Sequence, residues 1–130
     1  NSIKYVPENA YGDYRGETTL THGVELGLAR ASSRNLDEST DTLIEGFVRS
    51  NAGMRVGGQP ERFQLSGRNA LVTSLEGRSA LGGVERIEVH TTLLANGDLF
   101  YLLTVAPERE LGAYSEAFDR VVRTVRLSDR

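Results

Sequence analysis

The sequence predicts an α+β domain in which a mostly antiparallel sheet of about five to seven strands carries two amphipathic helices, in the order β-β-α-β-β-β-β-α-β. Three observations lead there. Between Arg62 and Ala106 the apolar residues fall into short runs separated by turn formers at Ser66-Gly67, Gly82-Gly83 and Asn96-Gly97. Connections this short can only join neighbouring strands antiparallel. Leu36, Thr40, Leu43, Ile44, Phe47 and Val48 recur at spacings of three and four, as do Tyr114, Ala117, Phe118, Val121, Val122 and Val125, and each set makes one stripe on a helix. Finally, Asn96-Gly97 sits between two apolar runs, the strongest short-range hairpin signal a sequence carries.

Ile3 to Val6 alternates apolar and polar positions and stops at Pro7, which lacks the N–H a ladder needs, so a first strand is expected there. Tyr11, Gly12, Asp13, Tyr14, Arg15 and Gly16 mix turn formers with aromatics, and the stretch from Asn9 to Glu17 reads as a surface loop. Val24, Leu26 and Leu28 alternate with Glu25, Gly27 and Ala29, which predicts a strand with one buried face. A helix should begin near Leu36, because Asn35 is a good N-cap and Glu38 completes a capping-box pattern. Asp37, Glu38 and Asp41 suit the positive end of its dipole, and Asn51 to Gly53 supplies a stop. Met54 to Pro60, with Gly57-Gly58, reads as a loop.

A meander follows over Arg62–Leu65, Asn69–Glu76, Val84–Ala95 and Leu99–Ala106. If Asn96 and Gly97 are the two turn residues, Leu93 pairs with Phe100, Thr91 with Leu102 and Val89 with Thr104, while Thr92 pairs with Tyr101 and His90 with Leu103. The run from Leu99 is apolar on both faces, as expected of a strand covered on both sides. A second helix is predicted from Ala113 to Arg123, with Arg120 and Arg123 near its negative end. Val125 and Leu127 alternate with Arg126 and Ser128, which predicts a closing strand.

The 130 residues suit a single domain, with 38% hydrophobic and 25% charged residues and a net charge of −3. Nothing in this balance suggests a nucleic-acid footprint. The chain has no cysteine, which excludes disulfides, thiolate metal sites and cysteine nucleophiles and leaves the compartment open. Its longest apolar run, Leu99 to Ala106, is far short of the roughly 20 residues a membrane helix needs, so no membrane insertion by this segment is expected. The chain opens Asn1-Ser2-Ile3 with no basic and apolar leader, and the expectation is a domain excised from a longer protein.

Candidate chemistry is sparse, and no catalytic residue, metal ligand or cofactor is assigned. Glu88, His90 and Thr92 alternate on one strand and so share a face, which makes Glu88 and His90 the best available pair of metal ligands, with His22 a third only if the fold brings it near. The plain alternative is a polar sheet face. Serines are frequent but no Gly-x-Ser-x-Gly elbow occurs, and neither Gly57-Gly58 nor Gly82-Gly83 has the lysine and helix start of a phosphate loop. Tyr11, Tyr14 and Arg15 form the most plausible partner contact, since aromatic and arginine side chains dominate binding hot spots.

Several segments resemble a known group of domains. Tyr5-Val6-Pro7-Glu8-Asn9, the helix residues Asp41, Leu43, Ile44, Phe47 and Asn51, the run Ser66 to Leu71, the run Phe100 to Pro107 and the run Phe118 to Leu127 are similar to a PsbP-like domain. They are similar to the carboxy-terminal accessory domain attached to some bacterial zinc metallopeptidases of the CAAX-prenyl-endopeptidase-like family, peptidase family M forty-eight. It implies a parent protein that is extracytoplasmic or membrane-associated, with the protease upstream. The HExxH helix that holds zinc in that family has no counterpart here, so none of its catalytic residues is carried over. The resulting expectation is a noncatalytic accessory or binding module whose partner is the upstream domain of its parent, a peptide or a small ligand. The alternative is a small stand-alone enzyme or metal-binding domain using the Glu88/His90 face.

Overall fold

A computed structural model describes residues 2–5, 11–14 and 17–129. Its elements are β1 (Ser2–Tyr5), β2 (Tyr11–Tyr14), β3 (Glu17–Leu20), β4 (Gly23–Ala29), α1 (Leu36–Ser50), β5 (Arg55–Val56), β6 (Glu61–Leu65), β7 (Arg68–Arg78), β8 (Val84–Leu93), β9 (Leu99–Pro107) and α2 (Leu111–Thr124), with a 3-10 turn at Glu108–Glu110 before α2. A seven-stranded sheet runs β1-β4-β9-β8-β7-β5, and β6 pairs with β7 on the same edge as β5. Every pairing is antiparallel. The predicted α+β architecture is the one observed.

Each helix covers one face. Phe100, Leu102 and Ala106 of β9 join Val24, Ala70 and Leu65 in a cluster with Phe118, Tyr114, Val121 and Val122 of α2. The alternate residues Leu103 and Val105 join Leu75, Ile87 and Val89 in a second cluster with Ile44, Leu43, Phe47 and Val48 of α1. Because successive strand residues point to opposite faces, β9, apolar but for Thr104, is buried from both sides. Leu102 is wholly buried, and a side chain of this size contributes about 1.5–3 kcal/mol through burial.

Local chemistry sets the ends of α1. Asn35 caps it as expected, its side chain accepting from the Glu38 N–H at 3.0 Å. The Glu38 carboxylate does not close the capping box; it accepts from the Ser33 hydroxyl, which in turn accepts from the Asn35 N–H. At the other end Asn51 donates to the Phe47 carbonyl, and Gly53 takes a positive φ of 82°. Thr40, in the apolar stripe, is buried and shares a hydrogen bond of 2.8 Å with Thr91 of β8, so the polar group is satisfied where α1 meets the sheet.

Four further expectations change. The stretch around Tyr11 is not a loop, because β2 and β3 pair as a two-stranded sheet, in keeping with the strand preference of Tyr and Thr. Met54–Pro60 contains the short strand β5. No closing strand follows α2: the Leu127 N–H is taken by the Ser66 hydroxyl at 3.0 Å, and Asp129 is held by both guanidinium nitrogens of Arg68 and by the Ala95 N–H. Side chains, not a ladder, fix the tail, and the Arg68 bond above all holds the Asp129 carboxyl down at about 2.

The fourth change is the register of the β8–β9 hairpin. Leu93 pairs with Leu99, Thr91 with Tyr101 and His90 with Leu102, a slip of one residue from the expected pairing. Gly97 alone takes a positive φ, its N–H bonds the Leu94 carbonyl, and the Leu94 N–H bonds the Asp98 carbonyl. This longer turn ends in a glycine bulge and needs only one residue in the left-handed region, whereas the two-residue turn needs two.

Candidate functional site

Glu88, His90 and Thr92 share the α2 face of β8, as alternation requires, but they do not form one site. His90 is buried, its ring edge-on to Phe63 with centroids 5.6 Å apart. Its Nδ1–H donates to the Leu102 carbonyl at 3.1 Å, which fixes the tautomer. Burial pushes the His90 pKa down, against smaller upward pulls from that bond and from the charges of Glu88 and Asp119. Thr92 is buried too and donates to the Asn69 carbonyl. Glu88 is exposed and accepts from the Ser74 hydroxyl at 3.4 Å.

His22 lies elsewhere. Buried just before β4, it shares a 2.8 Å hydrogen bond with Thr21, bonds the Glu110 carboxylate through Nε2 at 3.2 Å and packs on Tyr114 with centroids 5.1 Å apart. Among the described residues no group of three or more His, Cys, Asp or Glu side chains could hold a metal ion. Arg15 lies outside the described residues, and of Tyr11 and Tyr14 the backbone alone is described.

The same sheet face continues past Glu88 into a charged end. Cross-strand pairing sets Glu76 of β7 opposite both Arg55 of β5 and Arg86 of β8. The Arg55 guanidinium donates twice to one Glu76 oxygen, at 2.7 and 3.1 Å, while Arg86 meets the other oxygen at 3.3 Å and Glu108 at 3.0 Å. The row Arg55–Glu76–Arg86–Glu108 is therefore internally neutral. One step further along β7 stands Arg78, exposed, with no hydrogen bond or ion pair among the described residues.

Beside this row opens a groove of about 570 Å³ lined by Arg55, Glu76, Arg78, Ser79 and Val84 and by four glycines, Gly53, Gly77, Gly82 and Gly83. The glycines are there for backbone reasons. Gly82 and Gly83 turn the β7–β8 connection at φ 90° and 79°, and Ser79 closes it by accepting from Gly82 and Leu81 and donating its N–H to Gly83. Arg109, in the turn before α2, braces the tip by donating to the Gly82 carbonyl at 2.9 Å. Gly53, at φ 82°, lies beside Arg78, whose Cδ and Nε are 3.4 Å from where a Cβ would stand, an ordinary contact distance. The result is a shallow basin with backbone walls and one unpaired guanidinium at its edge.

A smaller hollow of about 260 Å³ lies between α1 and β6, lined by Asp37, Asp41, Gln59, Pro60, Arg62 and Leu71. There the cation is already spent, since Arg62 donates to both oxygens of Asp37 at 2.8 and 3.1 Å. Arg55 and Arg78 were not singled out by the sequence. They stand 23 positions apart, one in a segment read as loop, and only the pairing of β5 with β7 joins them.

No family model matches the chain, and no curated protein is similar to it at a significant level. Among solved structures it is similar to PA94 from Pseudomonas aeruginosa, a protein of unknown function described as a proposed regulator, with a TM-score of 0.64 and 11% sequence identity over 100% of this chain and 83% of that one. At that identity the likeness concerns the fold.

Proposed function

We propose that this chain is a noncatalytic recognition module of a larger protein and that its binding surface is the uncovered, charged end of the sheet. The observation that carries the reading is the groove beside Arg55, Glu76 and Arg78, the larger of the two hollows described above. It has the parts a recognition site needs: accessible backbone, a rigid strand platform and charges held in place by ion pairs. The enzyme or metal-site alternative on Glu88 and His90 gains no geometric support, because one His90 nitrogen is committed to Leu102 and the ring lies in the core.

The resemblance to the accessory domains of CAAX-prenyl-endopeptidase-like bacterial metallopeptidases extends the proposal. The module then belongs to an extracytoplasmic or membrane-associated zinc peptidase, and its partner is a peptide, a small ligand or the upstream domain. No helix among the described residues is long and apolar enough to cross a membrane, so any membrane attachment would reside elsewhere in the parent or in another kind of element.

The test is amide-shift mapping of the isotope-labelled chain against a pool of mixed-sequence tetrapeptides. The expected result is perturbation concentrated at Gly53, Arg55 and Gly77 to Gly83. Perturbations confined to β1 or to the outer face of α2, or none at millimolar peptide, would overturn the assignment.

A further inference from the structure

We infer that the groove is a carboxylate site and that Arg78 is its anchor; the inference rests on the reading of this surface as a recognition site. Three observations support it. Arg78 is the lining cation without a partner, since Arg55 is bound to Glu76. Its stem runs beside Gly53, with Cδ and Nε 3.4 Å from where a Cβ would stand, so the guanidinium projects from a segment in van der Waals contact with the groove floor. The facing walls at Gly77, Gly82 and Gly83 carry no side chains, which lets a ligand approach the fork closely.

Charge selects the class of anion. Arg55 and Arg78 line the groove with Glu76, Arg109 stands at its Gly82–Gly83 wall bonded to backbone carbonyls, and the adjoining Arg86–Glu108 pair is neutral, so the site favours an anion. A carboxylate carries one negative charge and matches the planar guanidinium with two parallel hydrogen bonds. Phosphate near neutral pH carries more negative charge and would be repelled more strongly by the Glu76 carboxylate in the groove. The fitting ligand is therefore a monoanionic carboxylate, either the free C-terminus of a peptide or an Asp or Glu side chain within one. Because the groove is open to water and salt, millimolar affinity at low ionic strength is expected.

The experiment follows the Arg78 Nε–Hε resonance and the amides of Gly82 and Gly83 during titration at low salt. Four probes separate the sources: acetyl-Gly-Gly with a free C-terminus, acetyl-Asp-amide with a side-chain carboxylate only, the neutral acetyl-Gly-Gly-amide, and inorganic phosphate. One or both carboxylate probes should shift these resonances saturably, the better of them naming the source, while the neutral amide should not. Arg78→Gln should abolish the shifts, and Arg78→Lys, which keeps the charge but not the fork, should weaken binding several-fold. Both variants are at an exposed side chain and should retain the melting temperature, so a loss of folding would show as a fall in it.

Equal shifts with the neutral amide, retained binding in Arg78→Gln, or saturation by phosphate at lower concentration than by either carboxylate would overturn the inference. The broader reading fails separately. If tetrapeptides still perturb the groove while the carboxylate arms are silent, the recognition surface stands and Arg78 is not its anchor; if neither perturbs it, both fall.

Discussion

Along β8, Arg86, Glu88, His90 and Thr92 share one face of the sheet, yet Glu88 is exposed and Arg86 partly so, whereas His90 and Thr92 lie in the core. The difference comes from what covers each half. Phe63 of β6 stands against His90, and α2 packs over β9 beside it. Beyond Glu88, Arg86 pairs with Glu76 of β7 and with Glu108 in the turn before α2, and Glu76 pairs in turn with Arg55 of β5. Alternation decides which face a residue occupies; the placement of helices decides whether that face is a core or a surface.

The largest effect should come from breaking the covered half. Leu102 is fully buried opposite His90, so Leu102→Ala removes packed volume from the α2 side of the sheet. A loss of about 2–5 kcal/mol in unfolding free energy is expected by chemical denaturation. Glu88→Gln, two residues from His90 on the same face, should stay within about 0.5 kcal/mol of the parent protein. Comparable losses in the two variants would mean that the covered and uncovered halves are not energetically distinct.

A smaller effect concerns Glu85, which points to the opposite face and lies against Gly77, where a Cβ would come 3.4 Å from its carboxylate oxygen. Desolvation raises its pKa from 4.5 to about 7. The folded state therefore binds more protons than the unfolded chain between these values, and this contribution to stability is full below pH 4.5 and lost as pH rises towards 7. Since the side chain keeps some contact with water, the swing should be about 1 kcal/mol. Glu85→Gln should flatten the stability profile over that interval; an unchanged slope would show that the carboxyl titrates normally.

His90 should give the opposite slope. Its pKa is lowered by burial, so below the ordinary histidine value the unfolded chain takes up a proton that the folded chain resists, and stability falls as pH drops below about 6.5. His90→Asn keeps a donor for the Leu102 carbonyl and removes the titration. Thermal unfolding from pH 5 to 7 should show a shallower acid decline in this variant than in the parent. The same decline in both would place the responsible group elsewhere.

These sites differ in how far the sequence announced them. The face shared by Glu88 and His90 was legible because a strand has period two, and the caps and stripes of both helices were legible because they are local. That His90 is enclosed was not, since Phe63 and α2 reach it from 27 residues before and some 20 residues after. The slip at Asn96-Gly97 has a similar origin: the dipeptide signals a turn, but whether two residues or five bridge the strands depends on which side chains of β9 the two helices bury. The groove was illegible for the same reason, because Arg55 and Arg78 become neighbours only through the register of β5 on β7.

The smallest effect would sharpen the uncovered half. Glu76 holds Arg55 and Arg86 on its two oxygens, and Glu76→Gln leaves both guanidiniums with less compensation while keeping the side chain's shape. Exposed ion pairs are worth about 0–1 kcal/mol, so the stability change should be small and should shrink further as salt is added. The effect on ligand charge should be clearer. Residues two apart on a strand are about 7 Å from one another, and removing a negative charge at that distance in water favours an incoming anion by about 0.6 kcal/mol, a two- to threefold gain. Tighter carboxylate binding in Glu76→Gln, read from the Arg78 resonance and lost again at high salt, would locate the anion at the Arg78 end; weaker binding would mean that Glu76 itself, with the arginines it orients, makes the contact.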